Sequence, residues 1–415
     1  MSEKNDPNAE IHLFIIWEHA RPSERRILED ISKNFDILRK YEISWSEKHF
    51  PQNLSRFYGS NLPPNSRKEQ HCGTGPFLAV VVEDKAPKYH VRTTSKGDES
   101  VNTKMFDAKT RHREWTGGGH RIHGSNSVIE ADQNLTLLLG KNSRDLRSEI
   151  GNDISDVVYN LSRELEGHDG WRDLRHLFYV LNSTLEYVVL RNFEPFPDKY
   201  YADEHGDIDI LVRDFKDARF VLNAKPVFSA RHRVHVTVPI ASEDVRFDLR
   251  YVGDGYYDSR WQDNMLNTRV LQANCFYTPT TDNHFFGLLY HALVQKPAIA
   301  EDYGKRLIAA SGEVGLSIGT HKLDQTKAMN AIASLLKKRK YYITQPIDKS
   351  VYVNMNTVKY AKSLGVSYRK SRKIPPIRNY LKTAKSKSRH YFAKTRRIIN
   401  RNINKITSKN YGKKD

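Results

Sequence analysis

The acids with the most suggestive spacing are Asp207 and Asp209, two apart in Gly206-Asp207-Ile208-Asp209-Ile210-Leu211-Val212. On a strand, residues i and i+2 share a face, about 6–7 Å apart, so the two carboxylates crowd one patch while Ile208, Ile210 and Val212 fill the other face. Unpaired, they would repel each other and raise one another's pKa. A hard dication that prefers oxygen ligands, Mg2+ or Mn2+, relieves the conflict and can hold the phosphates of a nucleotide as well. A third acid, Asp248, sits in Val245-Arg246-Phe247-Asp248-Leu249-Arg250-Tyr251, where apolar residues alternate with Arg246, Asp248 and Arg250. That alternation puts it on the polar face of a second strand. The competing reading of such an acid pair is a solvated strand face.

A second candidate is the run Gly117-Gly118-Gly119-His120-Arg121-Ile122-His123, followed by Ser127 and Glu130 in capping-box spacing. Three glycines permit close backbone approach, a helix start offers unpaired N–H groups, and Arg121 adds a forked donor. A phosphate pocket built on Gly117, Gly118, Gly119, His120 and Arg121 is one reading, and a turn that glycine merely permits is the other. His120 and His123 are also candidate metal ligands, although no cysteine or second pair accompanies them.

The segment Tyr187-Val188-Val189-Leu190-Arg191-Asn192-Phe193, then Glu204-His205-Gly206-Asp207-Ile208-Asp209 and Phe247-Asp248-Leu249-Arg250, resembles the nucleotidyltransferase superfamily over residues 172–300. In that family a glycine-bearing turn after a strand holds nucleotide phosphates, a D-x-D pair follows, and a later strand supplies a third acid. The resemblance implies that Asp207 and Asp209 hold the metal and that Asp248 completes the site or acts as base. Arg191-Asn192 replace the family's small residues, so Arg191 is expected to offer its fork to a phosphate. The leucine-arginine pair at the turn and the later helix around His284–His291 are similar to nucleotidyltransferase-like proteins of bacterial surface-polysaccharide gene sets. The glycine run is similar, over a few residues only, to the phosphate turn of sulfiredoxin and ParB-like nucleotide-binding domains.

Elements able to position these residues are readable from periodicity. Ile11–Trp17 and Pro76–Val82 read as buried strands, and Ile27, Leu28, Ile31, Phe35 and Leu38 space a helix between them. Leu174, Leu177, Phe178, Leu181 and Leu185 form a helix stripe that runs into the strand 187–190, and residues 214–224 read as a further helix. His232–Val238 alternates as a strand, and a helix begins near Asp282 with His291 on it. Lys296, about a turn and a fraction after His291 on the same helix, is a candidate phosphate ligand, the alternative being a surface lysine that snorkels. The expected class is α/β to α+β: an N-terminal mixed α/β domain at 10–145, a polar bridge at 146–171, a nucleotidyltransferase-like mixed sheet with helices at 172–330, and a helical basic tail at 361–415.

Charge separates the body from the tail. Of the formal +18, residues 361–415 carry +17, leaving +1 for the rest. Within 388–406, Tyr391, Phe392, Ile398, Ile399, Ile403 and Ile406 recur at helical spacing among Lys and Arg. Such a helix suits an anionic membrane surface, with nucleic acid as the alternative partner. Two cysteines two hundred residues apart exclude a disulfide framework. No run of eighteen apolar residues and no apolar leader is found, so a cytoplasmic protein, peripheral at the inner membrane face, is expected. The expected activity is metal-dependent nucleotidyl- or phospho-group transfer. Its substrates would be a nucleoside triphosphate or nucleotide-activated donor and a phosphorylated sugar or polyol, in surface polysaccharide assembly. A nucleotidyltransferase that modifies RNA or protein, and a catalytically silent nucleotide-binding module, are the alternatives.

Overall fold

A computed structural model describes residues 8–94, 97–151, 157–199, 207–229 and 232–370. Gly206 of the acidic strand and the amphipathic stripe at 388–406 fall outside the described residues. The chain is a mixed α/β protein, as its periodicities require.

The first sheet is built from β1 (Glu10–Ile16), β2 (Asp36–Ser44), β3 (Phe77–Asp84), β6 (Ile122–Gly124) and β7 (Val158–Ser162), in the order β6-β1-β3-β2-β7. A separate hairpin joins β4 (Tyr89–Thr94) to β5 (Gly97–Asn102). Its helices are α1 (Glu24–Asn34), α2 (Phe50–Phe57), α3 (Arg67–Cys72), α4 (Thr103–Trp115), α5 (Val128–Leu139) and α6 (Ser143–Ile150). The expected helix through Leu38 stops at Asn34: Phe35 is extended at φ −142°, and Leu38 belongs to β2, where it is buried. An apolar spacing that fits a helix also fits a helix end followed by a strand, and here it is the latter.

The second sheet runs β10-β11-β12-β9-β8, from β8 (Tyr187–Val189), β9 (Ile208–Val212), β10 (Lys225–Pro226), β11 (His235–Ile240) and β12 (Glu243–Tyr251). Among the described residues of this sheet, the β9–β12 pair is parallel and the other pairs are antiparallel. Helix α7 (Leu174–Thr184) starts at Asp173, whose carboxylate accepts from His176 N, and α8 (Phe215–Val221) follows β9. A helical layer closes the chain: α9 (Ser259–Asn267), α10 (Thr281–Val294), α11 (Glu301–Ser311), α12 (Gln325–Arg339) and α13 (Met355–Ser363). Two short strand pairs accompany it, β13 (Val270–Gln272) with β14 (Phe276–Thr278), and β15 (Ile343–Thr344) with β16 (Tyr368–Arg369).

The units expected at 10–145 and 172–330 correspond to the two sheets, yet one hydrophobic core runs from Ile11 and Leu13 through Leu135 and Leu177 to Ile210 and Phe247. Residues 146–171 are not a bridge. They supply α6, the edge strand β7 and Trp171, which is 2% exposed and donates its backbone N–H to Pro239 O and its indole Nε1–H to Leu222 O in the second half. Arg56 of α2 stitches the halves further, donating to Phe220 O and Val221 O at 3.0 Å, the carbonyls at the end of α8. A cation there satisfies acceptors that a helix C-terminus leaves unpaired. Residues 361–369, assigned to the tail by charge, belong to the body: Ala361 and Val366 are 1% and 4% exposed in the helical core. Among the described residues no helix is long and apolar enough to cross a membrane.

Candidate active site

Strand β9 is buried on both faces, which explains why its acids are held so firmly. Ile208, Ile210 and Val212 join the large core, while Leu211, together with Val188 of β8 and Leu190 just after it, joins the helical one. Each such side chain contributes about 1.5–3 kcal/mol on burial, so register is strongly fixed, since a one-residue slip would carry the acids into the core. β12 alternates the same way, Val245, Phe247 and Leu249 inward, Asp248 and Arg250 on the face of Asp209. Parallel pairing sets Asp248 beside Asp209. Asp207 lies one residue before β9 and opens into the same cleft.

That cleft has a volume of about 1330 Å³ and is lined by Asp207, Asp209 and Asp248, by Arg191 and Asn192, and on the opposite wall by residues of the helical layer, Lys296, Tyr303, Arg306 and Tyr352 among them. The spacing argument for the three acids, and the selection of Arg191, Asn192 and Lys296, therefore converge on one place. Gly117, Gly118, Gly119, His120 and Arg121 do not line it.

Two arginines interleave with the acids. Arg191 Nη2 donates to Asp209 Oδ1 at 2.5 Å and Nη1 to Tyr256 OH at 3.0 Å; Arg250 Nη2 donates to Asp248 Oδ2 at 2.7 Å. The fork of Arg191, expected to face a phosphate, is thus taken up inside the protein. Leu190 N bonds Asp209 O at 2.8 Å, which delivers the next residue, Arg191, to the start of β9. Asn192 then adopts φ 58°, a left-handed conformation that asparagine tolerates, and its side chain accepts from Arg306 of α11 at 2.9 Å. The turn keeps its shape without a glycine.

Electrostatics follow from burial. Burial raises the Asp209 carboxyl to about 6 against the pull of Arg191, with the charges of Asp248 and Asp207 adding to the rise. Asp207 is also raised, by burial and then by Asp248, while Arg246 and His235 oppose. Burial works against the charge on Arg191, but Asp209 and Tyr256 override it and hold the guanidinium ionised. Burial pushes His291, near Arg191, well below the usual imidazole range, so it is neutral. Its Nδ1 lies 2.9 Å from Tyr256 OH and 3.0 Å from Gln295 Oε1.

Sequence reasoning missed His235, Arg250, Tyr256 and Asp348. His235 Nε2 is 3.2 Å from Asp248 Oδ1 and its Nδ1 3.6 Å from Asp348 Oδ2. The signal was present for His235, which alternates with Val234 and Val236 toward the face of Asp248, its register partner. Asp348 lies a hundred residues onward, in a segment without periodicity.

The donor chemistry suits a hard cation. Asp248 Oδ1 is buried without a hydrogen-bond partner, and Asp207 makes no hydrogen bond or ion pair among the described residues. No three His, Cys, Asp or Glu groups among the described residues form a ready coordination sphere. Mg2+ takes one or two carboxylates and completes its shell with water and substrate phosphates, so the protein need not supply a closed cage.

The glycine run terminates α4 rather than beginning a helix. Gly117, Gly118 and Gly119 have φ of 84°, 80° and 74°, and β6 separates them from Ser127, the cap of α5. A Cβ at Gly119 would lie 2.4 Å from His71 Nδ1, so this backbone requires glycine for packing and turning. A helix C-terminus presents carbonyls and repels an anion. Arg121 Nη1 is spent on Thr116 O at 2.6 Å. His123 is a core residue, 5% exposed, its Nε2 2.7 Å from Asn134 Oδ1, and burial lowers it to about 4.

Among known proteins, no family model matches the chain and no curated protein matches it. Among solved structures, an orthorhombic crystal form of the Aquifex aeolicus nucleoside diphosphate kinase aligns at a TM-score of 0.22 and 19% identity, over 31% of this chain and 92% of the kinase. A likeness that low carries no argument about either fold or function.

Proposed function

We propose that the cleft binds a nucleotide with a divalent cation and transfers a nucleotidyl or phosphoryl group to a hydroxyl of a sugar- or polyol-type acceptor. The observation that carries this reading is the register of β9 and β12, which sets Asp248 beside Asp209 with Asp207 at the same opening. Asp207, Asp209 and Asp248 would hold the cation, which supplies charge neutralisation on the phosphates when bound. The chain's own residues do the rest. Arg191 and Arg250 orient the buried acids Asp209 and Asp248. His235, close to Asp248 Oδ1, orients that carboxylate toward an incoming hydroxyl. The side chains of Lys296 and Arg246 line the cleft without a hydrogen bond or ion pair among the described residues, available to meet phosphate oxygens. The surface-polysaccharide setting rests on the resemblance at Leu190-Arg191 and His284–His291, and location at the inner membrane face rests on the basic tail.

One observation favours a second reading, a nucleotide-binding module without turnover: an arginine already occupies one oxygen of both Asp209 and Asp248. Thermal melting with Mg2+ and nucleoside triphosphates, together with turnover on sugar-phosphate acceptors, separates the two. Transfer requires turnover that Asp207→Asn and Asp248→Asn each reduce by roughly a hundredfold or more, as loss of a charge-stabilising group does. A magnesium-dependent melting shift without any turnover establishes the module instead, and no shift at all refutes both.

A further inference from the structure

Most of the cleft is charged, and one feature of its helical wall is not. Tyr352 is 48% exposed, lines the cleft, and has neither a ring partner nor a hydrogen bond among the described residues. The other two cleft tyrosines are committed: Tyr256 to Arg191 and His291, Tyr303 to ring contacts with His291 and Arg306. A free aromatic face inside a polar cleft leaves apolar surface in water unless a ligand covers it.

The segment carrying Tyr352 is tied down on both sides. Before it, Asp348 is 2% exposed; its Oδ1 accepts from Ser350 N at 2.9 Å and Ser350 Oγ at 2.7 Å, and its Oδ2 lies 3.6 Å from His235 Nδ1 on the acid-bearing sheet. After it, Asn354 N bonds Val294 O at 2.8 Å, and Asn354 Nδ2 reaches Lys296 O at 3.3 Å. The second tie holds Tyr352 and Lys296 on one stretch of wall. A ring on a braced segment loses little freedom when it is covered, so contact energy is not spent on ordering it.

We infer that Tyr352 is a stacking platform for the base of the nucleotide, with Lys296 meeting its phosphates. This inference rests on the proposed nucleotide reading and deepens it. A ligand that fits must carry both a flat apolar face and several negative charges, to span a free tyrosine ring, a free ammonium and the acids across the cleft. A nucleoside triphosphate with its cation has that composition. Stacking on one ring tolerates any base, because every base presents a π-face.

Isothermal titration of the full chain in MgCl2 with ATP, UTP and inorganic tripolyphosphate tests this, using Tyr352→Ala, Tyr352→Trp, Lys296→Ala and Asp207→Asn. The expected result is that Tyr352→Ala weakens ATP and UTP roughly tenfold, within the range of a lost base–aromatic stack, and leaves tripolyphosphate unchanged. Tyr352→Trp should restore both nucleotides, and Lys296→Ala should weaken all three ligands alike. If ATP and tripolyphosphate bind equally tightly and Tyr352→Ala moves neither, the platform is refuted; loss of both in Asp207→Asn would then leave the acid-site reading standing. If neither ligand binds the unmodified chain, both fall together.

Discussion

Removing the carboxylate of Asp209 and removing that of Asp207 should have very unequal consequences for stability, although the two acids lie two residues apart. Asp209 and Arg191 form a buried pair, their side chains 7% and 9% exposed. Deleting one member of such a pair leaves the other charge uncompensated, which costs about 3–5 kcal/mol. Asp209→Ala should therefore lose about that much, measured by urea unfolding followed by circular dichroism at pH 7.5 with a chelator present. Replacing both members by leucine should recover most of the loss, because an apolar pair of similar volume has no desolvation penalty. Asp207 has no partner among the described residues, and its carboxyl is raised, so its ionised form is disfavoured in the fold. Asp207→Asn should leave stability within about 0.5 kcal/mol of the unmodified chain or slightly above it, since the group is partly exposed and its repulsion is screened. If Asp209→Ala costs no more than Asp207→Asn, the ion pair does not hold the strand and the account of the site's rigidity is wrong. The comparison also shows which variant reports cleanly on activity: Asp207→Asn does, and Asp209 variants confound chemistry with folding.

Histidine 123 should make the fold acid-sensitive. Burial lowers it to about 4, so between the unfolded value near 6.5 and that point the unfolded chain binds the extra proton, and stability falls by up to about 3 kcal/mol as pH drops through the window. His123→Gln should flatten the melting temperature between pH 6.5 and 4, and an unchanged slope would contradict the assignment. Deleting residues 371–415, which carry +14, should preserve the melting temperature and nucleotide affinity while reducing sedimentation with anionic vesicles in a salt-dependent way. Deleting from 361 should instead lower the melting temperature, because it removes Ala361 and Val366 from the core; equal melting of the two truncations would contradict that packing.

What the sequence disclosed were features with a period. Alternation in 245–251 fixed which side of β12 carries Asp248, and the pair 207/209 followed from the same rule. Helix α5 was legible from Ser127 and Glu130, whose cap is present as Ser127 Oγ accepting from Glu130 N at 3.2 Å. The partners were not legible. Nothing local says that Arg191 turns inward to Asp209 instead of outward to a phosphate, because the choice is made by Tyr256, sixty-five residues away. The shared core of the two sheets, the closing helices after residue 300, and the approach of Asp348 to His235 are likewise products of long-range packing. The glycine run left two readings open for a different reason: three positive φ values serve a helix end as readily as a phosphate loop, and the polarity of the neighbouring helix is not written in the run itself.

That same long-range packing bears on how a cation would enter. Asp207, Asp209 and Asp248 carry three negative charges, and Arg191 and Arg250 return two positive ones, so the cluster sums to −1. A dication alone would turn it to +1 inside a partly dehydrated cleft, beside two guanidiniums that repel it, which makes binding of the metal by itself weak. A polyphosphate arriving with the cation reverses the sign again and supplies the oxygens that the acids do not. The arginines therefore stabilise the acids in the resting fold and at the same time couple metal to nucleotide. In the melting experiment Mg2+ alone should shift the midpoint little, nucleotide alone little, and the two together by more than the sum. A full shift from Mg2+ alone would mean that the carboxylates make a closed site by themselves, and that the arginine pairing has no part in the coupling.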